Sequence, residues 1–260
     1  MSDRATYFGA NGWLLELAGR RILVDPWLVD SLVFPPGPWL FRGELPRPWP
    51  VPAPLDLLLL TQGLPDHCHP PSLALLDRDL PVIASASGAA RARELGFRQV
   101  TALRPGEHSQ LAGGELEIGA VPGAPVPLVE NGYLVRGGGT SLYLEPHGYL
   151  AAETLLPPQA VDVVISPVVD LGLPLAGAFV RGQSVLPDLL RRFRPHTVLA
   201  STTGGAVTYS GALSRLLWQK GTLAEARRQV EALAPDCRLI DPEPGVAIAL
   251  RRQQPQASAA

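Results

Sequence analysis

Residues 58–71 read Leu58-Leu59-Leu60-Thr61-Gln62-Gly63-Leu64-Pro65-Asp66-His67-Cys68-His69-Pro70-Pro71. The continuous leucine run within Asp56–Thr61 is typical of a buried strand. The loop after it places Asp66, His67 and His69 within four positions, and a Pro-Pro pair then opens a helix. Because side chains at the C-terminal ends of strands converge on one edge of a sheet, this loop is a candidate metal or catalytic site.

Strand and helix patterns extend from this stretch in both directions. Before it, turn residues separate three short runs that predict an antiparallel meander: Ala5–Gly9, Trp13–Leu17 and Arg21–Asp25. After the helix predicted from Pro70 through Leu80, we predict a strand at Pro81–Ser85 and a helix at Ser87–Leu95 with a serine N-cap. Eight prolines between Pro35 and Pro54 indicate a long ordered loop.

The second half of the chain repeats this order of elements. The predicted elements are strands at Glu115–Val121, Gly132–Arg136, Ser141–Glu145 and Val161–Ser166, a helix from Ser184, a strand at Thr197–Ala200, a helix opened by a capping box at Thr222, and a pair of strands within Cys237–Leu250. Two β-rich halves with outer helices predict an α/β fold, a four-layer αββα sandwich. We expect one domain over residues 1–250 and a flexible tail over 251–260.

Composition excludes several classes of protein. Of the 260 residues, 46% are hydrophobic and 18% charged, which is typical of a globular chain and not of a disordered one. A net charge of −2 gives no field that would attract nucleic acid. The longest apolar stretch, Val161–Val180, is interrupted by aspartates and prolines, so we expect no membrane span. Two cysteines suit a reducing, cytoplasmic location.

Nearly the whole chain resembles the metallo-β-lactamase fold superfamily, and in particular its branch of L-ascorbate-6-phosphate lactonase and other cytosolic metal-dependent hydrolases. The resemblance rests on the hairpin that ends in Asp25-Pro26-Trp27 and on the loop after the leucine strand. The family motif is His-x-His-x-Asp-His, and here Gln62 and Leu64 take the two histidine positions while Asp66 and His67 match. The resemblance therefore implies a degenerate site.

The other family ligands are also replaced. The family's third histidine falls in Gly123-Ala124-Pro125, its bridging aspartate on Glu145-Pro146-His147-Gly148, and its last histidine on Ser201-Thr202-Thr203. Leucine has no lone pair and an amide is a poor zinc ligand, so the first metal position should be empty. Asp66 and His67 could hold one divalent ion, zinc, iron or manganese, with His147, Glu145 or His69 as a third ligand. Alternatively, no metal is bound, Asp66 caps the following helix and His67 is a hydrogen-bonded loop residue.

The resemblance implies a hydrolase acting on a small acidic ester, lactone or phosphoester, with Asp66 orienting or deprotonating the attacking water. An acidic substrate is expected because the helix that begins at Pro70 points its N-terminus toward the loop. Other residues could contact the substrate: Ser201, Thr202, Thr203, Glu130 and Gln62. Two alternatives stay open: a metal-free member of the fold that binds a small anionic ligand or a protein partner, and metal-free hydrolysis with Cys68 or a serine as the nucleophile.

Overall fold

The computed structural model of the chain describes residues 3–125 and 129–250. The predicted tail, residues 251–260, lies outside this range. The first ten strands are β1 (Arg4–Gly9), β2 (Gly12–Leu17), β3 (Arg20–Val24), β4 (Leu32–Val33), β5 (Arg42–Glu44), β6 (Leu57–Leu60), β7 (Val82–Ala84), β8 (Val100–Ala102), β9 (His108–Leu111) and β10 (Leu116–Pro125). The others are β11 (Val129–Gly137), β12 (Thr140–Leu144), β13 (Val163–Ser166), β14 (Asp170–Leu173), β15 (Gly177–Arg181), β16 (Thr197–Ala200), β17 (Thr208–Ser210), β18 (Trp218–Lys220), β19 (Arg238–Ile240) and β20 (Ala247–Ala249).

The longer helices begin at the polar caps that the sequence predicts, or near them. The helices are α1 (Pro70–Ala74), α2 (Ala86–Glu94), α3 (Gly182–Phe193) and α4 (Leu223–Leu233). The Ser85 side chain accepts a hydrogen bond from Gly88 N at the start of α2. Thr222 accepts one from Glu225 N, so the predicted capping box opens α4. The helix predicted from Ser184 begins two residues earlier.

Two seven-stranded sheets organise the described residues. The first has the order β20-β1-β2-β3-β6-β7-β8, and the second has the order β19-β16-β13-β12-β11-β10-β9. Each sheet has an antiparallel part, β1-β2-β3 or β9-β10-β11-β12, that continues into parallel strands. One strand of each sheet, β6 in the first and β12 in the second, ends in a loop that carries a histidine, His67 or His147.

Apolar side chains fill three layers of core. Trp13 and Tyr133 are fully buried in the cluster to which both sheets contribute. Leu58 packs with residues of α1 and α2 on the outer face of the first sheet. Phe193 and Val230, from α3 and α4, pack on the outer face of the second sheet. The predicted αββα sandwich is confirmed, because each sheet is covered by helices on one face and by the other sheet on its second face.

Two expectations about local structure were wrong. The helix predicted from Pro70 through Leu80 ends at Ala74. The chain continues in tighter turns, in which Leu75 N donates to Ser72 O and Leu76 N donates to Leu73 O, and the Asp77 carboxylate then accepts a hydrogen bond from Asp79 N at 2.8 Å. The segment expected as a loop between Pro35 and Pro54 contains β5, which pairs with β4 and with the distant β17. No local sequence pattern encodes a partner so far along the chain.

Gly182, at the start of α3, packs too closely against Pro167 to allow a side chain. A Cβ atom at Gly182 would lie 2.3 Å from Pro167 C and O, whereas one at Gly119 would lie 3.9 Å from its nearest neighbour. We expect Gly182→Ala to lower the free energy of unfolding by about 3 kcal/mol, because the backbone must move to relieve this overlap. The matched variant Gly119→Ala should change it by less than about 1 kcal/mol. Urea denaturation measures both, and equal losses would contradict the packing described here.

No helix in the described part of the chain has the length and apolar character needed to cross a membrane.

Candidate functional site

The candidate site lies where the two sheets bring their loops together. The loop after β6 carries His67 and the loop after β12 carries His147, and the two imidazole rings stack with centroids 5.2 Å apart. The turn between β1 and β2 adds Asn11 to the same cluster. The predicted convergence of His67 and His147 is thus present, although the two residues are 80 positions apart in the sequence.

Asp25 holds the imidazole of His67 in one orientation. Asp25 lies directly after β3 in a left-handed conformation, with φ of 40°, which aspartate tolerates better than most residues. Its carboxylate accepts hydrogen bonds from Thr61 N at 2.8 Å and from Thr61 Oγ1 at 2.5 Å. The second of these carboxylate oxygens lies 2.8 Å from His67 Nδ1. The opposite ring nitrogen, Nε2, therefore faces the cluster.

Three polar side chains surround His67 Nε2. Gln62 Nε2 lies 3.0 Å from this atom, Asn11 Nδ2 lies 3.1 Å away and Asp66 Oδ2 lies 3.1 Å away. The remaining oxygen of each side chain is buried and has no hydrogen-bond partner: Asn11 Oδ1, Gln62 Oε1 and Asp66 Oδ1. A buried polar atom without a partner costs about 1–3 kcal/mol. Three such atoms in one cluster indicate a place for a ligand or an ion.

Charges within the cluster oppose one another. Burial would lower the pKa of His67, but the carboxylates of Asp66 and Asp25 raise this pKa to about 10. Burial alone would raise the pKa of Asp66. The charge of His67 has the larger effect and lowers this pKa below its usual value. Burial and the charge of His67 lower the pKa of His147 to about 3, so this imidazole is neutral at pH 7. Asp25 and Asp66 thus share one cationic partner, His67.

Glu145 accepts hydrogen bonds from three backbone N–H groups, two in its own loop and one on β10. Its carboxylate accepts hydrogen bonds from Ala124 N at 3.2 Å, from His147 N at 3.1 Å and from Tyr149 N at 2.5 Å. Burial raises the pKa of Glu145 to about 7. The nearest imidazole atom, His147 Nδ1, lies 3.9 Å from Glu145 Oε1. Glu145 therefore shapes the loop that presents His147.

His69 does not join the cluster. Its Nδ1 lies 3.0 Å from Ser72 Oγ, and its ring lies beside Trp27 with centroids 6.0 Å apart. His69 is the N-cap residue of α1, and no side chain caps this helix. The expectation that Asp66 caps the helix was therefore wrong, because the Asp66 carboxylate faces His67 instead. With five residues and two prolines at its start, α1 also offers too few N–H groups to support the expected anion.

The loop after β16 forms hydrogen bonds with the loops that carry Asn11 and His147. Ser201 Oγ accepts a hydrogen bond from Trp13 Nε1 at 3.0 Å. Thr202 Oγ1 donates to the Pro146 carbonyl at 2.7 Å, and Thr202 N donates to the Ala10 carbonyl at 2.8 Å. Thr202 therefore connects the loop of Asn11 with the loop of His147. The neighbouring Thr203 is exposed.

Glu130 lines an open pocket. Its Oε1 accepts a hydrogen bond from Ser87 Oγ at 2.8 Å. The pocket has a volume of about 280 Å³, and Gly63, Leu64 and Arg91 contribute to its wall. Gly63 and Leu64 belong to the loop that carries Asp66, so a small molecule in this pocket would contact that loop.

Asn11 and Tyr209 were not predicted as site residues. The Asn11-Gly12 pair is a hairpin-turn signal, and nothing in the local sequence shows that the amide would reach His67. Tyr209, on β17, stacks on Phe41 with ring centroids 5.4 Å apart. Partial desolvation and the charge of Asp66 raise the pKa of its phenol, although 41% of the residue is exposed. Both residues reach the site only through long-range pairing of strands and turns.

The two thiols are buried. Cys68 has no exposed surface, and burial raises the pKa of its thiol to about 12. Burial raises the pKa of Cys237 to about 11. We expect neither thiol of the folded protein to react with Ellman's reagent at about pH 8 within minutes, and both to react in denaturant. One rapidly reacting thiol in the folded state would support the alternative in which Cys68 is a nucleophile.

The donor set does not fit a two-metal centre. In the loop that carries Asp66 and His67, Leu64 supplies no ligand atom and the amide of Gln62 is a poor ligand for zinc. Within residues 3–125 and 129–250, no group of three or more His, Cys, Asp or Glu side chains is arranged to hold a metal ion. One cation fits the cluster if amide oxygens contribute. His67 Nε2 and Asp66 would then be joined by the unpartnered oxygens described above.

Comparisons with known proteins agree with this architecture. The sequence model of the β-lactamase superfamily domain matches residues 4–201. The chain belongs to this family. A search of curated proteins with this sequence found no match.

Solved structures show the same fold over almost the whole length. The isothiocyanate hydrolase from Delia radicum gut bacteria has a TM-score of 0.71 at 18% identity, and the match covers 95% of this chain and 99% of that one. Igni18, a metallo hydrolase from the archaeon Ignicoccus hospitalis, has a TM-score of 0.68 at 17% identity, and the match covers 97% of this chain and 100% of that one. A possible metal-dependent hydrolase from Veillonella parvula has a TM-score of 0.70 at 13% identity, and the match covers 96% of this chain and 100% of that one. This member of the family therefore has the metallo-β-lactamase fold.

Proposed function

We propose that the chain is a single-metal hydrolase in which Asp66 and His67 hold one divalent cation. The observation that carries the proposal is the buried Asp25–His67 pair, whose Nδ1–Oδ2 distance is 2.8 Å. Histidines that bind metals commonly donate their second ring N–H to a carboxylate, which fixes the ring and makes the free nitrogen more basic. Here the other ring nitrogen, Nε2, lies 3.1 Å from the Asp66 carboxylate, in a cluster whose side chains include three buried oxygens without partners.

Each side chain around this position would have a separate role in hydrolysis. A divalent cation bound there would supply Lewis-acid polarisation of an ester or phosphoester and a more acidic water molecule. Asp25 keeps the His67 ring in place, and Thr61 fixes Asp25 through two hydrogen bonds. Asp66, about a quarter exposed, can orient the attacking water and take its proton. The neutral imidazole of His147 stacks on His67 and can accept a hydrogen bond from the same water.

The proposed substrate is a small acidic ester, lactone or phosphoester. The resemblance to the lactonase branch supports this class, and so does the size of the pocket beside Glu130, about 280 Å³. Arg91, on the wall of that pocket, supplies a positive charge, although it also forms an ion pair with Glu94 at 2.8 Å. A carboxylate or phosphate on the substrate would compete for this guanidinium.

Metal removal tests the proposal. We expect protein purified without chelator to carry about one equivalent of manganese, iron or zinc, as for a single catalytic ion. Restoring metal to chelated protein at about 100 times its Kd should stabilise the fold by about 2.7 kcal/mol, which raises Tm by roughly 5–10 °C. The restored protein should also hydrolyse carboxylated or phosphorylated esters and lactones faster than matched neutral ones. Protein without metal, whose Tm no divalent ion raises, would contradict the single-metal function.

A second candidate is a metal-free member of the fold that binds a small anion or a protein partner. It is favoured by the Gln62 amide nitrogen, which lies 3.0 Å from His67 Nε2 and 3.4 Å from His147 Nε2. An amide in this position links the two imidazoles without an ion. The two candidates predict opposite results in the metal-content and Tm measurements described above.

A further inference from the structure

We infer that the pocket between Glu130 and α2 binds a small zwitterion, with a primary ammonium group of the ligand at Glu130 and an acidic group at Arg91. The inference rests on the proposed function, since it takes this pocket as the place of the acidic substrate and adds a positive charge to that substrate. The pocket has a volume of about 280 Å³. Pockets for drug-sized ligands have volumes of about 300–1,000 Å³, so this pocket suits a smaller molecule.

Glu130 is a buried carboxylate without a cationic partner. The residue is 6% exposed, and its Oε1 accepts a hydrogen bond from Ser87 Oγ at 2.8 Å. Within residues 3–125 and 129–250, no other group donates a hydrogen bond to this carboxylate and no ion pair includes it. Buried charges in proteins are normally paired, because an unpaired one loses its hydration without compensation. The second oxygen, Oε2, is therefore available to a donor that a ligand supplies.

Ser87 fixes the Glu130 carboxylate beside the loop that carries Asp66. The Ser87 hydroxyl group donates its only proton to Glu130 Oε1, and its oxygen accepts a hydrogen bond from Gly63 N at 2.8 Å. A Cβ atom at Gly63 would lie 2.7 Å from Ser87 O, so a side chain there would push the two segments apart. The carboxylate is thus held in place before a ligand arrives, which lowers the entropic cost of binding.

The charges on the pocket wall favour a ligand that carries both signs of charge. Glu94 and Glu130 supply two carboxylates, and Arg91 supplies a guanidinium group. Arg91 Nη1 pairs with Glu94 Oε2 at 2.8 Å, but both side chains are exposed, and ion pairs of this kind contribute little stability. An acidic group of a ligand can therefore displace Glu94 from Arg91.

A ligand with acidic groups alone fits this wall less well. It would leave Glu130 without a counter-charge and place a second negative charge near it, which is unfavourable. A primary ammonium group instead donates a charge-assisted hydrogen bond to Glu130 Oε2, and such bonds are stronger than those between neutral groups. Recognition of the ammonium group thus excludes simple carboxylates as well as favouring zwitterions.

Isothermal titration calorimetry on the full chain tests the inference. The protein is first treated with a chelator and dialysed, so that binding is measured without metal or turnover. The probes are the unbranched ω-amino carboxylates from glycine to 5-aminopentanoate, each compared with the carboxylate and the amine of the same length. We expect at least one zwitterion to bind the wild type at least about tenfold more tightly than its matched carboxylate, because only the zwitterion pairs with Glu130.

Variants on the pocket wall separate the two ends of the ligand. Glu130→Gln keeps the shape of the side chain and an acceptor for Ser87, and it should abolish the preference for the zwitterion over the carboxylate. Arg91→Gln should weaken the zwitterion by about tenfold and leave the matched amine unaffected. The control Glu117→Gln should bind the zwitterion as the wild type does, because Glu117 pairs with Arg136 outside the pocket.

Each contrary result is independent of the proposed function. Equal wild-type affinity for every zwitterion and its matched carboxylate would overturn the inference, and so would an unchanged preference in folded Glu130→Gln. Absence of binding by every zwitterion at about 10 mM would overturn it as well. If Glu130→Gln does not fold, the comparison of probes on the wild type decides. None of these results involves a metal, whereas metal content and the rise in Tm decide the single-metal function.

Discussion

Replacement of Asp66 by asparagine is expected to lower the rate of hydrolysis, kcat, by about 10³-fold, because the amide cannot take a proton from water. The same change should weaken metal binding, since one charged ligand becomes a neutral one. The shape of the side chain is kept, and a quarter of it is exposed, so the fold should be maintained. Kinetics on metal-loaded protein and metal analysis of the same sample measure both effects.

The matched control for this experiment is Asp79→Asn. Asp79 is an exposed carboxylate that pairs with Arg98 on the surface, away from the cluster. The Asp79→Asn substitution should alter neither kcat nor metal content. If Asp66→Asn kept kcat within about tenfold of the wild-type value, Asp66 would not be the proton acceptor.

Asp25→Asn is expected to lower the free energy of unfolding by about 2–4 kcal/mol. The Asp25 carboxylate is 1% exposed and receives hydrogen bonds from Thr61 N and Thr61 Oγ1 while it faces His67 Nδ1. An amide offers one acceptor oxygen in place of two and points its N–H₂ group at one of these donors. We also expect metal affinity to fall by about 10–100-fold, because the His67 ring loses its anchor. Urea denaturation and Mn²⁺ titration measure the two changes.

Asp30→Asn is a closely matched control. Asp30 also has a left-handed backbone, with φ of 55°, but its side chain is exposed. The same substitution there tests the backbone preference without the buried contacts, and it should change stability by less than about 0.5 kcal/mol. Equal effects at Asp25 and Asp30 would show that backbone conformation, and not the contact with His67, determines the result.

Local patterns in the sequence predict most of the fold. The leucine run predicts β6, the Thr222 capping box predicts the start of α4, and the apolar stripe that includes Phe193 predicts the buried face of α3. These signals involve residues within a few positions of one another, so they can be recognised without knowledge of tertiary contacts. The helix expected through Leu80 ends at Ala74, and turns, one of them with an Asp77 side-chain hydrogen bond, follow it.

The candidate site was predicted only in part. Asp66 and His67 stand out because they are close in sequence and resemble part of a family motif, and His147 was a candidate because it lies in the segment expected at the family's bridging aspartate. Asn11 was missed because an Asn-Gly pair has the same local signal whether its amide faces solvent or a buried imidazole. The roles of Ser201 and Thr202 also differ from the expected substrate contacts, since their hydroxyl groups bond to Trp13 and Pro146.

The sequence by itself determined the order of the elements and the two-sheet architecture, because periodicity, caps and residue identity are local properties. Only the tertiary structure decided which polar atoms surround His67, and that its Nε2 meets two amides and a carboxylate. Those contacts join loops from distant parts of the chain. Their geometry depends on how the two sheets pack, which no short stretch of residues specifies.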